Sequence, residues 1–341
     1  MKDRWINALA LTAVAVAAVA LVTANIGRDP SHELLNVSYD ATRELFAELN
    51  AQFVPRYEKE TGRKVVIRQS HGGSSRQARA VIEGFAADVV TLALPVDVDA
   101  LRKQGLIANG WQQRLPNNSH PYTSTIVFVV RRGNPKQIKD WPDLIRPGVS
   151  VVTPDPKTSG NGKLTVLAAW GSVVCRGGDD EQARDYLRQL LAHVPVLGAG
   201  ARDATNTFIQ ENEGDVQLTW ENEALRETED SKGDLEVVYP PVSILAEPSV
   251  AWVDANVSRR KAGSYAKDYL AFLYTEQAQE ILARHGYRPS NPEVLKRHAG
   301  RLPRVNLFPI TALVRDWDEA QAKFFAENGI FDVIHQTKVK Q

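Results

Sequence analysis

The sequence predicts an α/β protein with doubly wound sheets divided between two domains, and three observations predict it. The chain opens strand–helix–strand: Leu34–Ser38, a helical pattern over Thr42–Glu60, then Lys64–Arg68. That order gives a parallel pair with a crossover helix. Three times afterwards a β-rich run ends in a glycine-containing turn that opens a helix, at Gly72-Gly73, at Gly160-Asn161-Gly162 and at Gly198–Gly200. Finally, 341 residues suffice for two domains of ordinary size.

Each element follows from local pattern. In the first helix Leu45, Phe46, Leu49 and Phe53 fall on one face, and Asp40 stands where an N-cap belongs. Pro55 lies inside this pattern and predicts a kink or restart. A helix over about 76–85, a strand over Asp88–Leu94 and a short helix over Val98–Leu106 come next. Tyr122–Val130 is a long β-rich run that carries the chain into the second domain. Val149–Thr153 reads as a buried strand, ended by Pro154 and Pro156. Asp180–His193 is an amphipathic helix, Val194–Leu197 a strand, Ala204–Asn212 a helix, and Val216–Trp220 and Leu235–Tyr239 strands. Ile244–Val253 is extended and leads back. A single helical tract is expected over Lys261–His285, then a short strand at Val305–Phe308 and an aromatic helix around Val314–Phe325. The expected division is residues 33–122 plus 254–325 in one lobe and 123–253 in the other.

Composition narrows the function. Lysine plus arginine and aspartate plus glutamate number 41 each, so no global basic field suits nucleic acid. The one cysteine, Cys175, excludes an internal disulfide and a cysteine metal cluster. The seven histidines show no metal-ligand spacing, and no metal or cofactor is expected. Lys2 and Arg4 precede an apolar run from about Ile6 to Ala24, and Val22-Thr23-Ala24 suits a cleavage site. Residues 1–24 therefore read as an export signal peptide, with an uncleaved anchor as the alternative. Export places the mature chain outside the cytoplasm, where ATP-dependent or reduced-cofactor chemistry is not expected.

The stretch Val149–Trp170 organises the rest. After its strand comes Thr158-Ser159-Gly160-Asn161-Gly162, then apolar helical positions Leu164, Leu167, Ala168 and Trp170. Backbone N–H groups and the positive helix end converge at such a turn and favour an anion. It is not a nucleotide P-loop, because Lys157 stands where the first glycine belongs and Leu164 where Ser or Thr should follow the lysine. Taken singly, the turn also fits plain topology. Similar turns at Asp40, Ser74 and Ala201 make four, two per domain, which suits a cleft gripping one small anion.

The segments Leu34–Leu45, Gln69–Ala78, Pro121–Trp141, Gly148–Gly160, Gly200–Phe208 and Trp220–Leu225 resemble the periplasmic sulfate-binding proteins, the solute-binding components of sulfate/thiosulfate ABC importers. The likeness covers nearly the whole chain after Leu34. It implies a two-lobed periplasmic binding protein fold of type II, with a hinge, that closes around a dianion. It further implies the ligand donors: the Asp40 N–H and the Ser74 N–H or hydroxyl in the first lobe. In the second these are the Ser159 hydroxyl, the Gly160 and Asn161 N–H groups, the Ala201 N–H and the Trp220 indole. Asn161 replaces the family's usual second glycine, and Asn tolerates left-handed backbone better than most residues. The implied partners are sulfate or thiosulfate and the membrane permease subunits of an importer, with the chain a monomer and not an enzyme.

Chemistry agrees with this list. Sulfate has no proton to give at neutral pH, so its ideal site holds donors only, whereas hydrogen phosphate benefits from an acceptor. A hydrogen bond to a charged group contributes about 1.5–3 kcal/mol, and micromolar binding needs about −8 kcal/mol. Plainer readings stand beside each residue. Trp220 also fits a core aromatic, His71 a structural role, and Arg43 and Arg202 either charge balance near the site or, for Arg202, a salt bridge to Asp203. Glu221 and Glu223 do not share a helix face, which argues for surface or supporting roles. Thiosulfate or another tetrahedral oxyanion as main ligand and a sulfate sensor are the alternatives. A hydrolase using Ser74 or Ser159 with His71 lacks the G-x-S-x-G elbow around Ser74.

Overall fold

A computed structural model describes residues 33–339. The expected leader at 1–24 lies outside the described residues. The chain runs β1 (Glu33–Tyr39), α1 (Arg43–Thr61), β2 (Val66–Gly72), α2 (Ser74–Ile82), β3 (Val89–Leu92) and α3 (Pro95–Lys103). It crosses through β4 (Tyr122–Thr123) to β5 (Ile126–Arg131), β6 (Val151–Pro154), α4 (Gly160–Val174) and α5 (Asp180–Ala192). Then come β7 (Leu197–Gly198), α6 (Ala201–Ile209), β8 (Val216–Trp220), α7 (Glu221–Asp230) and β9 (Leu235–Val238). The return passes through β10 (Ser243–Ile244) to β11 (Ser249–Trp252), α8 (Asp254–Arg260), α9 (Gly263–Phe272), α10 (Glu276–Arg284) and β12 (Arg288–Pro289). The tail holds β13 (Leu307–Phe308) and α11 (Ile330–Val339).

Two main sheets result, ordered β2-β1-β3-β11 and β7-β6-β8-β5-β9. β1 pairs in parallel with β2 and β3, and β6 with β7 and β8, as crossover helices require. β11 is antiparallel to β3, and β5 is antiparallel to both β8 and β9. Between the sheets the outgoing and returning segments run side by side, joined by the antiparallel bridge Ser124–Ala246. Both main-chain bonds of that bridge form, at 3.0 and 2.9 Å.

The structure differs from the sequence reading at five places. β11 lies in the first sheet, although its residues fall within the expected second segment, 123–253. The tail leaves the first lobe: β13 pairs with β10, and Phe324 meets Trp170 of α4 edge-on at 5.0 Å between centroids. α1 continues unbroken through Pro55. The tract over 261–285 is broken, because Lys261 turns left-handed at φ 56° and Thr275 caps a new helix by accepting from the Ala278 N–H. The aromatic helix is a short turn, Trp317–Ala320, running into a π-helical turn at Gln321–Phe325. Among the described residues no helix is long and apolar enough to cross a membrane.

Candidate functional site

In an α/β sheet ligands bind beyond the carboxyl ends of the strands. Here Asp40 follows the end of β1 directly, Ser74 lies two residues past β2, Ser159 five past β6 and Ala201 three past β7, while Trp220 is the last residue of β8. All seven residues expected from the sequence therefore lie at or just beyond strand ends, and the two lobes bring these ends face to face.

The contacts are close. A Cβ placed on Gly160 would lie 2.5 Å from the Ala93 Cβ and 3.4 Å from the Ser74 Cβ, so α4 meets the first lobe with no side chain between. Gly73 touches the Thr158 carbonyl in the same way, and Gly200 the Asp40 carboxylate. Trp220 is 1% exposed and packs on Tyr39 at 5.5 Å between centroids, next to Asp40. Asn161 and Ser159 are equally buried.

Local structure assigns the polar groups. Ser74 and Gly160 open α2 and α4, and Ala201 opens α6, so their N–H groups lack partners within the helix. The hydroxyl of Ser159 does not cap its helix, and Gly73 and Gly200 cannot. The Ser74 hydroxyl donates to Asp97 Oδ2 at 2.6 Å and accepts from the Ala93 N–H at 3.0 Å. Its proton is thus committed, and of the two donors expected at Ser74 the backbone N–H is the one left. Asn161 has helical backbone, not left-handed, so the expected tolerance is not needed. Its side chain donates to Thr219 Oγ1 at 3.4 Å and accepts from the Thr165 hydroxyl at 3.2 Å. Its neighbour Gly162 is the constrained one, since a Cβ there would lie 2.5 Å from the Pro154 carbonyl oxygen.

Asp40 departs from expectation. It opens a short 3₁₀ turn and does not cap α1. Its carboxylate accepts from its neighbour Ala41 N–H at 3.1 Å and, across the cleft, from the Arg202 N–H at 3.5 Å. Burial raises its pKa, against the pull of the Arg202 and Ala201 N–H groups. An acceptor thus lies among donors where the sequence reading placed donors alone, and it reaches the first turn of α6 through the Arg202 N–H.

Charges surround the seam in pairs. Arg202 bonds Glu44 across the cleft and Glu223 at 2.5 Å, not Asp203, whose carboxylate accepts from the Ala199 N–H. Burial works against the Arg202 charge, but Glu223 and Glu44 outweigh it and hold the guanidinium pKa above its ordinary value. Glu221 and Glu223 are buried, which overturns the surface reading; Glu221 takes a two-point bond from Arg288 instead. His71 shares a hydrogen bond with the Ser38 hydroxyl at 2.8 Å, and burial lowers its pKa to about 4, which keeps the ring neutral near pH 7. Sequence reasoning missed Asp97 and Lys163, a buried pair at 3.4 Å. A lone charge on the otherwise apolar helix GNGKLTVLAAWGSVV was the available signal.

One pair of pKa values sets a pH dependence. Glu227 accepts from the Thr205 hydroxyl at 2.6 Å, its second oxygen has no partner, and burial raises it to about 8. A carboxyl whose pKa rises from 4.5 on folding stabilises fully below that value, and the contribution is lost as pH climbs through the folded value. Glu227→Gln is expected to lose less stability than the wild type between about pH 5 and 8. Thermal melts across that range check it; parallel declines would refute the assignment.

Residues 37–288 match the family of bacterial extracellular solute-binding proteins. The sulfate-binding protein of Salmonella typhimurium is 50% identical over 304 residues, covering 89% of this chain and 92% of that protein. The thiosulfate-binding protein of Pseudomonas aeruginosa is 48% identical over the same shares. Among solved structures, the sulfate-binding protein SubI of Mycobacterium tuberculosis H37Rv matches with a TM-score of 0.77 at 32% identity, covering 86% of this chain and 99% of that one. By sequence and by fold, the chain belongs to the bacterial extracellular solute-binding proteins.

Proposed function

We propose that this protein binds a tetrahedral dianion, sulfate first and thiosulfate second, between its lobes and delivers it to the permease subunits of an ABC importer. The observation that carries the reading is the meeting of Ser74 and Gly160 across the cleft, with helix N-termini of both lobes opening at one seam. The ligand donors in this reading are the N–H groups of Asp40, Ser74, Gly160, Asn161 and Ala201, the Ser159 hydroxyl and the Trp220 indole. Helix ends supply positive potential without a lysine or arginine in contact. Asp40's carboxylate accepts from the Ala41 and Arg202 N–H groups, and every group in this donor list gives a proton, which suits a fully deprotonated dianion such as sulfate. Relatives named for sulfate and for thiosulfate, 50% and 48% identical, support the class and leave both ligands in play. The reading places the mature chain in the periplasm as a monomer without enzymatic activity.

Calorimetric titration of ligand-stripped protein tests it. Sulfate or thiosulfate is expected to bind at about 10 μM or tighter, with hydrogen phosphate at least about 100-fold weaker. Binding of neither dianion more tightly than about 100 μM, or −5.5 kcal/mol, contradicts it.

A further inference from the structure

The Asp97 carboxylate touches both α2 and α4, the helices that meet at Ser74 and Gly160. Its Oδ2 accepts from the Ser74 hydroxyl at 2.6 Å and its Oδ1 from the Ser75 hydroxyl at 2.9 Å. These are the first two residues of α2, so the carboxylate fixes the turn whose N–H groups face the cleft. Lys163 comes from the other lobe, in the first turn of α4, three residues after Gly160. Its ammonium lies 3.4 Å from Asp97 Oδ1 and 3.0 Å from Gln321 Oε1 of the tail. The two side chains are only 6% and 5% exposed.

We infer that Asp97 and Lys163 form a cross-cleft latch, positioning residues that hold the closed state around the ligand without touching it. This rests on the dianion-binding reading above. The pair joins two lobes, so it exists only when they meet. On opening, both charges return to water. A buried charge left without its partner disfavours the state that buries it. Removing either member therefore penalises closure specifically, and apparent affinity falls with the closed fraction. The latch acts after encounter, so its loss appears in the release rate. Ligand entry precedes closure and is unaffected.

The test uses the full mature chain with sulfate as probe. Stopped-flow tryptophan fluorescence gives the association and release rates of wild type, Lys163→Met, Lys163→Gln, Asp97→Asn and the Asp97→Asn/Lys163→Met pair. Each single variant is expected to release sulfate about 10- to 100-fold faster with association within about twofold of wild type. The double variant is expected to lose clearly less than the product of the singles, the signature of direct coupling. Melting of the ligand-free variants separates this from a structural role, which would lower the midpoint without changing release. Release within twofold of wild type in the folded lysine variants, or a double variant equal to the product, overturns the latch. Wild type that binds no dianion overturns the binding reading, and the latch with it; wild type that binds beside unaltered variants overturns the latch alone.

Discussion

Gly160→Ala is expected to weaken dianion binding about 100-fold or more while leaving the ligand-free protein at least as stable as before. The added methyl would sit 2.5 Å from the Ala93 Cβ, well inside van der Waals contact. Both atoms are fixed to backbone, so neither can swing away. The lobes must stay apart by about an ångström, which stretches every cross-cleft donor pair beyond hydrogen-bond range. Losing about two charge-assisted bonds costs about 3–6 kcal/mol, or two to four decades of affinity. In the open form the clash is absent, and alanine at the start of α4 is favoured over glycine by about 0.5–1 kcal/mol. Affinity and stability thus move in opposite directions, which general misfolding cannot produce. Titration and melting of the same sample check it; affinity within about threefold of wild type contradicts the closed geometry.

Arg288→Met is expected to lower stability by about 3–5 kcal/mol, a fall of about 10 °C in the unfolding midpoint. Glu221 has no exposed surface and Arg288 is 7% exposed. The guanidinium makes two parallel bonds to the carboxylate, at 2.6 and 2.7 Å, and a third to the Pro303 carbonyl at 2.7 Å. Burial raises the Glu221 pKa even with Arg288 beside it. Methionine fills the space but strands the carboxylate. The pair also ties the end of β8, and so Trp220, to the crossing segment: the Glu221 N–H donates to the Thr125 carbonyl and Arg288 pairs with Thr123. Adding Glu221→Gln to Arg288→Met should recover part of the loss, since a neutral amide is cheaper to bury. A midpoint within about 2 °C of wild type for Arg288→Met counts against this account.

What the sequence revealed and what it hid divide along physical lines. β2 and β6 announced themselves through extended runs ended by Gly or Pro, β1, β3 and β8 through short apolar runs, and the turns after them carry the proposed site. Those signals are local. The direction of β11 has no local signal, because an isolated extended run does not say which strand it joins. Nor did the aromatic tail reveal its partner: Phe324 and Phe325 read as a helical stripe, but only the fold brings Trp170 beneath Phe324. Asp97 and Lys163 are 66 residues apart, and only the fold brings them together. Between the surface and supporting roles left open for Glu221 and Glu223, local sequence could not choose, because burial depends on Arg288, Arg202 and Arg226, which come from distant or neighbouring turns. The Asp40 carboxylate was misplaced for a related reason: the sequence shows a fine N-cap candidate for α1, and nothing nearby shows the open N-terminus of α6 that accepts it instead.

Crystals grown from ligand-stripped protein with selenate, a heavier isostere of sulfate, probe the central claim most directly through the anomalous signal of selenium. The account predicts a single peak in the cleft within hydrogen-bond distance of the Ser74 and Gly160 N–H groups, the Ser159 hydroxyl and the Trp220 indole, with no water beside it. A peak on the outer surface, or those four groups aimed at separate places, would contradict it.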